Sequence, residues 1–120
     1  MAMATKTART LVAAVTNAAG ATTTSGTWNL ATALGAVIQA RVTNGTTGPT
    51  VGCDMVVQAS VDQVTWRDVT RFSAGTAASG VYDFCVEIPA PILAIRVVFT
   101  GNTAQPVTVE AVGHELTSIG

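Results

Sequence analysis

The size, low charge and nearly neutral balance of this sequence exclude several classes of protein. It has 120 residues, of which 48% are hydrophobic and 11% are charged, with a formal net charge of -1. This length suits one domain with its own core. The lack of a basic stripe argues against nucleic-acid binding, and no run of about 18 apolar residues predicts a membrane span.

The low charge also bears on the surface of the protein. An average soluble domain carries roughly 25% charged residues. The shortage here predicts that other subunits cover part of the surface. The alternative is a monomer coated with Thr, Ser, Asn and Gln.

The first third of the chain has little regular patterning. Residues 1–10 are predicted to form a flexible arm ahead of a single domain at 11–120. Residues 8–16 suit a first strand, and their apolar run is too short for a signal peptide, which favours synthesis in the cytoplasm. Residues 18–35 predict a long loop with a short extended piece at 27–31, and loops of this length often contact a partner.

Strand alternation dominates the sequence from residue 36 onward. The runs AVIQARVT, CDMVVQAS, VYDFCVEI and ILAIRVVFT place apolar residues at every second position, and turn-forming residues separate them. In TWRDVTRF, strict alternation would place Trp66 and Phe72 on one face of the strand and Val69 on the other. A β-bulge between them is predicted to reconcile this pattern. The sequence therefore predicts an all-β fold. We expect an antiparallel β-sandwich or jelly-roll-like domain of about seven to eight strands, with little or no helix.

The sequence contains no recognisable catalytic or metal-binding pattern. The one histidine, His114, falls in the last predicted strand, and no nucleophile motif accompanies it. The seven carboxylates are scattered, so none is expected to pair in a glycosidase cleft or a calcium loop. Cys53 and Cys85 have opposite strand parity, which predicts two free thiols. We expect no enzyme activity, no metal and no cofactor.

The two tryptophans leave two interpretations open. Exposed aromatic rings serve as stacking platforms in carbohydrate-binding modules, whereas a domain with few aromatic residues needs them in its core. Trp66 follows the predicted turn in SVDQVTW, residues 60–66, and this position favours folding back onto the core. The predicted core anchors are Trp66, Phe84 and Phe99.

Three stretches resemble small β-sandwich structural proteins of tailed bacteriophages: WNLATALGAVIQARVTNGTTGPTVG, VVQASVDQVTW and AIRVVFTGNTAQPVTVEAVG. The Trp-Asn-Leu start, the Thr-Asn-Gly turn and the Ser-x-Asp-x-x-x-Trp hairpin carry the resemblance, which covers about residues 27–113. The hairpin in those proteins is often Ser-x-Asp-Gly, and Gln63 stands here in place of the glycine. Among such proteins the chain looks most like capsid decoration (cement) proteins.

This resemblance implies a virion protein on the outer capsid surface, made in the host cytoplasm. Its implied partners are the major capsid protein, whose contacts it would stabilise, and its own copies, as a trimer in preference to a dimer. It implies neither nucleic acid nor membrane as a partner. The alternatives are a tail, baseplate or head-fibre component that binds a receptor or glycan, and a carbohydrate-binding module of a secreted enzyme.

The predicted contact positions lie in the arm, in the long loop and in the turn at 44–50. They are Lys6, Thr7, Arg9, Thr22, Thr23, Thr24, Trp28, Asn44, Thr46 and Thr47.

Overall fold

Two antiparallel β-sheets form the structure. The computed structural model describes residues 4–89 and 91–119. Sheet A has the strand order β1 (Ala4–Asn17), β9 (Val107–Ile119), β4 (Ala36–Asn44) and β7 (Val81–Ile88). Sheet B has the order β2 (Thr23–Thr24), β8 (Ala94–Thr100), β5 (Asp54–Ser60) and β6 (Arg67–Ser73), and β3 (Trp28–Asn29) also pairs with β8.

The predicted all-β sandwich is confirmed, with nine strands instead of seven to eight and no helix in the described residues. The alternation of the sequence decides which side chains enter the core. In β4, every second residue from Ala36 to Val42 is buried, and the residues between them face outward. Sheet B supplies Met55, Val57 and Phe99 from the opposite side. Burial of these apolar side chains is the main force that holds the two sheets together.

The predicted bulge lies in β6. Val57 pairs with Thr70 and Gln58 pairs with Asp68, so Val69 is the extra residue. The bulge restores the inward direction of Phe72, whose ring stacks on Phe84 with 5.3 Å between centroids. This pair closes the side of the sandwich where the edge strands β6 and β7 face each other.

The N-terminal segment differs from the prediction of a flexible arm. Residues 4–10 form the first half of β1 and pair antiparallel with residues 112–119 of β9. The side chains of residues 6–10 are all exposed, so this half of the strand has no buried face. Its sequence therefore shows no alternation of apolar and polar residues. Only its main-chain pairing with β9 identifies it as a strand. Residues 1–3 of the predicted arm lie outside the described residues.

The two tryptophans take roles opposite to those expected. Trp28 is fully buried in the core, whereas Trp66 is half-buried and lies outside the core cluster. The ring of Trp66 stacks instead on Arg96, with 4.5 Å between the guanidinium carbon and the ring centroid. Of the other predicted anchors, Phe99 is fully buried and Phe84 is half-buried against the core. The core thus has one tryptophan, and it is Trp28.

The indole of Trp28 connects the two sheets. Trp28 pairs with Ile95 in sheet B, and its ring reaches across to Gly113 in sheet A. A Cβ atom at position 113 would lie 2.5 Å from Cη2 and Cζ3 of the indole. Glycine at 113 is therefore required by the ring above it.

We expect Gly113→Ala to lower the free energy of unfolding by about 1–3 kcal/mol, because the added methyl group forces the ring and strand apart. Urea unfolding of the purified protein measures this change. Gly26→Ala is the matched control, since a Cβ there meets no atom within 4 Å. Equal stability of the two variants would mean that Trp28 can move away from β9 without loss of packing.

Candidate functional site

The two ends of the sandwich differ in chemistry. The first end consists of the loops at 18–22, 45–53, 74–80 and 101–106, and we call it the closed end. The second end consists of the loops at 30–35, 61–66 and 89–93 together with the start of β1 and the end of β9, and we call it the apolar end. Buried asparagine side chains tie the loops of the closed end, which also exposes Val51 and Val81, while the apolar end carries the two most exposed valines of the described residues, Val61 and Val64.

Three buried asparagines hold the closed end together. The Nδ2 of Asn17 donates to Oδ1 of Asn102 at 2.6 Å, and the Nδ2 of Asn102 donates to the carbonyl oxygen of Asn17 at 3.2 Å. The Nδ2 of Asn44 donates to the carbonyl oxygens of Gly75 and Ala77 at 3.1 and 2.9 Å. Buried loop carbonyls are costly without a partner, so these amides stabilise the loops. Asn44 thus has a structural role and is only 3% exposed.

The apolar end carries the most exposed large hydrophobic side chains of the described residues. Val61 and Val64, in the hairpin between β5 and β6, are 82% and 80% exposed. Leu34, in the neighbouring 30–35 loop, is 46% exposed. Solvent-exposed valines at a loop tip gain nothing from folding, so their position suggests contact with another molecule.

Local hydrogen bonds fix the shape of the hairpin. The Oγ of Ser60 accepts from the backbone N–H groups of Asp62 and Gln63 at 3.2 and 2.7 Å. The Oδ1 of Asp62 accepts from the N–H groups of Val64 and Thr65 at 2.9 and 2.8 Å. Gln63 has a φ of 60°, the left-handed conformation that glycine adopts most easily. The Ser-x-Asp motif therefore presents the two valines on a preorganised turn.

Two open cavities lie at the apolar end. One, of about 480 Å³, is lined by hairpin residues and by the 91–93 corner, including Ile92 and Leu93. The other, of about 450 Å³, lies on the outer face of sheet A between Leu34, Val37 and Leu116. Its rim carries both charge signs and an imidazole, from Lys6, Glu87, Glu115 and His114. Because hairpin residues line the first cavity and both cavities lie at the same end of the sandwich, this end is the candidate docking surface.

A second cluster crosses the outer face of sheet B. Arg96, beneath the ring of Trp66, donates from Nε to Oε1 of Gln58 at 2.7 Å, and Gln58 donates from Nε2 to Oδ1 of Asp68 at 2.8 Å. Arg71 continues the row and lies 2.6 Å from Asp54 and 3.9 Å from Asp68. Arg71 and Asp68 are about half exposed, so solvent screens these ion pairs and each contributes little stability. The cluster provides one aromatic ring beside several hydrogen-bonding groups.

The predicted contact residues do not form one surface. Lys6 lies at the rim of a cavity of the apolar end, and Thr7 and Arg9 are exposed along β1. Arg9 donates from Nη2 to the carbonyl oxygen of Thr27 at 3.3 Å. Thr46 and Thr47 are exposed at the opposite, closed end.

The remaining predicted contact residues lie near the closed end or in the core. The Oγ1 of Thr23 donates to Oδ1 of Asn17 at 2.6 Å, and the hydroxyl of Thr22 lies 2.9 Å from that of Thr100. Thr24 is exposed on β2, whereas Trp28 is buried and cannot contact a partner. The predicted set does not include the exposed Val61 and Val64. The sequence signal for an apolar hairpin tip is the presence of these two valines in an otherwise polar turn.

The described residues hold no group of three or more His, Cys, Asp or Glu side chains that could bind a metal ion. No described helix has the length and apolar character needed to cross a membrane. Cys53 is buried and Cys85 is exposed, and both are free thiols. Burial raises the pKa of the Cys53 thiol to about 11, which keeps it protonated and unreactive.

No family model matches the sequence, and no curated protein is similar to it in sequence. The structure is similar to the PBSX exported protein XepA, with a TM-score of 0.65 and 10% identity over 95% of this chain and 38% of that one. It is also similar to a protein of the infectious bursal disease virus Gx strain, with a TM-score of 0.59 and 14% identity over 95% of this chain and 32% of that one.

A third similar structure belongs to the Bacillus endospore appendages, described as disulfide-linked pili. Its TM-score is 0.53, with 15% identity over 98% of this chain and 90% of that one. At these identities the similarity establishes the fold alone. The chain spans only 38% of XepA. The fold is thus a β-sandwich of a kind found in viral and surface-appendage proteins.

We expect the hairpin to lose its order only in strong acid. Backbone N–H groups of Thr65 and Val64 and the Ser60 hydroxyl lower the pKa of Asp62 to about 2. Because this pKa lies below the ordinary value of about 3.9, the carboxylate stabilises the hairpin above about pH 4 and loses that effect as the pH falls towards 2. The amide NMR signals of Val64 and Thr65 should follow this titration.

Asp62→Asn is the control for this titration, because its amide oxygen still accepts hydrogen bonds but does not ionise. Its Val64 and Thr65 signals should not shift between pH 4 and 2. A midpoint near pH 4 in the unmodified protein would show that the turn does not hold the carboxylate.

Proposed function

We propose that this chain is a non-catalytic structural protein of a bacteriophage particle, and specifically a capsid decoration protein that binds the major capsid protein through its apolar end. The observation that carries the proposal is the exposed pair Val61 and Val64. The pair stands on a preorganised hairpin at the apolar end, and Val61 lines one of the two cavities there. The low charge of the sequence and its resemblance to phage β-sandwich proteins support the same function.

The hairpin suits repeated weak docking. Complete burial of a valine side chain contributes about 1.5–3 kcal/mol, so two valines give a useful contact without requiring a large interface. The turn is already ordered by Ser60 and Asp62, which lowers the entropic cost of binding. On a capsid, many copies act together, and each stabilises only the assembled lattice to which it binds.

We expect the double variant Val61→Ser, Val64→Ser to bind isolated capsids about 10- to 100-fold more weakly, because it loses most of the apolar contact. Its melting temperature should stay within a few degrees, since both side chains are already exposed. Cosedimentation of the purified protein with capsids measures the binding. Val51→Ser is the matched control, because Val51 is exposed in the 45–53 loop of the closed end.

The number of copies per particle tests the proposed location. Mass spectrometry of purified virions should find this protein at hundreds of copies, near stoichiometric with the major capsid protein. A handful of copies would place it in the tail, neck or fibre. Full binding by the double valine variant would remove the hairpin from the docking surface.

A second function, glycan binding by a tail or fibre component, is favoured by one observation. The half-buried ring of Trp66 lies outside the core beside Gln58, Asp68 and Arg96, and sugars bind to such combinations of an aromatic face and hydrogen-bonding groups. Trp28 is unsuitable as a platform because it is fully buried.

If this second function holds, Trp66→Ala should abolish binding to a glycan array, while Trp66→Phe should retain part of it through stacking. The hairpin variant Val61→Ser, Val64→Ser should bind glycans normally. If neither the unmodified protein nor the hairpin variant binds any glycan, Trp66 serves only to cover Arg96.

A further inference from the structure

We propose that sheet A continues from one copy of the chain into the next, with the β7 edge of one copy pairing antiparallel with the β1 edge of its neighbour. The contact is heterologous, because each copy uses a different edge on each side. The inference concerns self-association and does not depend on the capsid proposal. Four features of the two edges support it.

The first feature is that β7 has neither of two common protections of an edge strand, a bulge or a proline. Its eight residues pair with β4 in unbroken register, without a bulge or a proline, and no described strand pairs with its other side. Strands of this kind readily accept another strand. By contrast, the neighbouring edge β6 is protected by the bulge at Val69 and by the charged side chains of Arg67, Asp68 and Arg71.

The second feature is the exposed first half of β1. From Lys6 to Thr10 it pairs regularly with Leu116 to Val112 of β9, without a bulge. All five side chains are exposed, although Arg9 donates to the carbonyl oxygen of Thr27 at 3.3 Å. Three of them are the small residues Thr7, Ala8 and Thr10, so another strand can approach closely. No described strand pairs with the outer edge of this half-strand.

The third feature is strand direction. Each neighbouring pair in the order β1-β9-β4-β7 is antiparallel. The two edge strands therefore run in opposite directions. A second copy placed beside β7 in the same orientation brings its β1 antiparallel to β7, and the alternation of the sheet continues across the junction.

The fourth feature is charge, which selects the heterologous contact over the symmetric ones. The charged residues of β1 are the cations Lys6 and Arg9, and those of β7 are the anions Asp83 and Glu87. Asp83 is already paired with Arg41 at 2.6 Å, whereas none of the described ion pairs includes Glu87. Pairing β7 with β7, or β1 with β1, would bring like charges together, which is unfavourable.

Lys6 and Glu87 are placed to meet at such a junction. Both side chains line the same cavity on the outer face of sheet A, although they come from opposite edges of the sheet. In a continued sheet, Glu87 of one copy therefore lies on the same face as Lys6 of the next. A heterologous contact of this kind closes into a ring or extends as a filament.

Charge reversal provides the test, with oligomeric mass measured by light scattering after gel filtration at low ionic strength. The unmodified protein should self-associate. Lys6→Glu and Glu87→Lys should each weaken self-association about tenfold or more, because each replaces attraction by repulsion at every junction. An equimolar mixture of the two variants should associate again, since each junction in a mixed assembly is complementary.

The double variant Lys6→Glu, Glu87→Lys should recover self-association on its own. Arg67→Glu, which changes an exposed charge on the protected edge β6, is the matched control and should behave as the unmodified protein. A protein that stays monomeric at millimolar concentration would overturn the proposal. So would single variants that associate as strongly as the unmodified protein.

Cys85 distinguishes the heterologous contact from a symmetric contact between two β7 strands. It is exposed near the middle of β7, so a symmetric contact between two β7 strands would bring two Cys85 thiols close together. Mild oxidation should leave the assembly without a disulfide. Rapid crosslinking that Cys85→Ser abolishes would overturn the heterologous contact in favour of the symmetric one. The valine variant of the hairpin should self-associate normally, which separates this test from capsid binding.

Discussion

The packing of the Trp28 indole against Gly113 is the contact on which the arrangement of the two sheets depends. Trp28 belongs to a two-residue strand in sheet B, yet its ring touches the middle strand pair of sheet A. The ring is fully buried and its Nε1 has no hydrogen-bond partner among the described residues. An unpaired buried donor costs about 1–3 kcal/mol. The apolar contact of the ring must outweigh that cost.

The same contact positions the apolar end. The chain leaves β3 after Asn29 and enters the 30–35 loop, which carries Leu34 and lines one of the two cavities. A displacement of the indole would therefore move the 30–35 loop, which is part of the proposed docking surface. Core packing and surface shape are coupled here through one short strand.

Alternation was enough to predict most of the fold. It correctly located β4, β5, β7 and β8, because apolar side chains at every second position turn toward the core, although Val56 of β5 is also buried on the other face. The broken alternation around Val69 likewise located the bulge. The first half of β1 was not predictable in this way. The side chains of residues 6–10 are exposed on both faces, so main-chain hydrogen bonds hold this segment and leave no pattern in the sequence.

The candidate site was less predictable than the fold. Loop length and polarity indicated contact residues that the structure distributes between both ends and the core, because a polar loop can equally be tied down by its own side chains, as at Asn44. Trp66 follows the tight turn as expected, but it lies on the outer face of sheet B, where Arg96 offers a cation–π partner. Which tryptophan is buried depends on which one lies opposite Gly113 in the other sheet, and the sequence does not show this.

The position of β9 has a consequence for the order in which the protein forms. β9 comprises residues 107–119 and lies between β1 and β4, so two strands made early in synthesis meet only through a strand made late. Contacts between distant parts of a chain form slowly. Until β9 inserts, β1 and β4 each lack a neighbour, and a growing chain exposes open strand edges to other growing chains nearby. Sheet A is therefore completed late. Only a chain in which β9 has been synthesised and has inserted between β1 and β4 presents the two outer edges, β1 and β7, in one sheet.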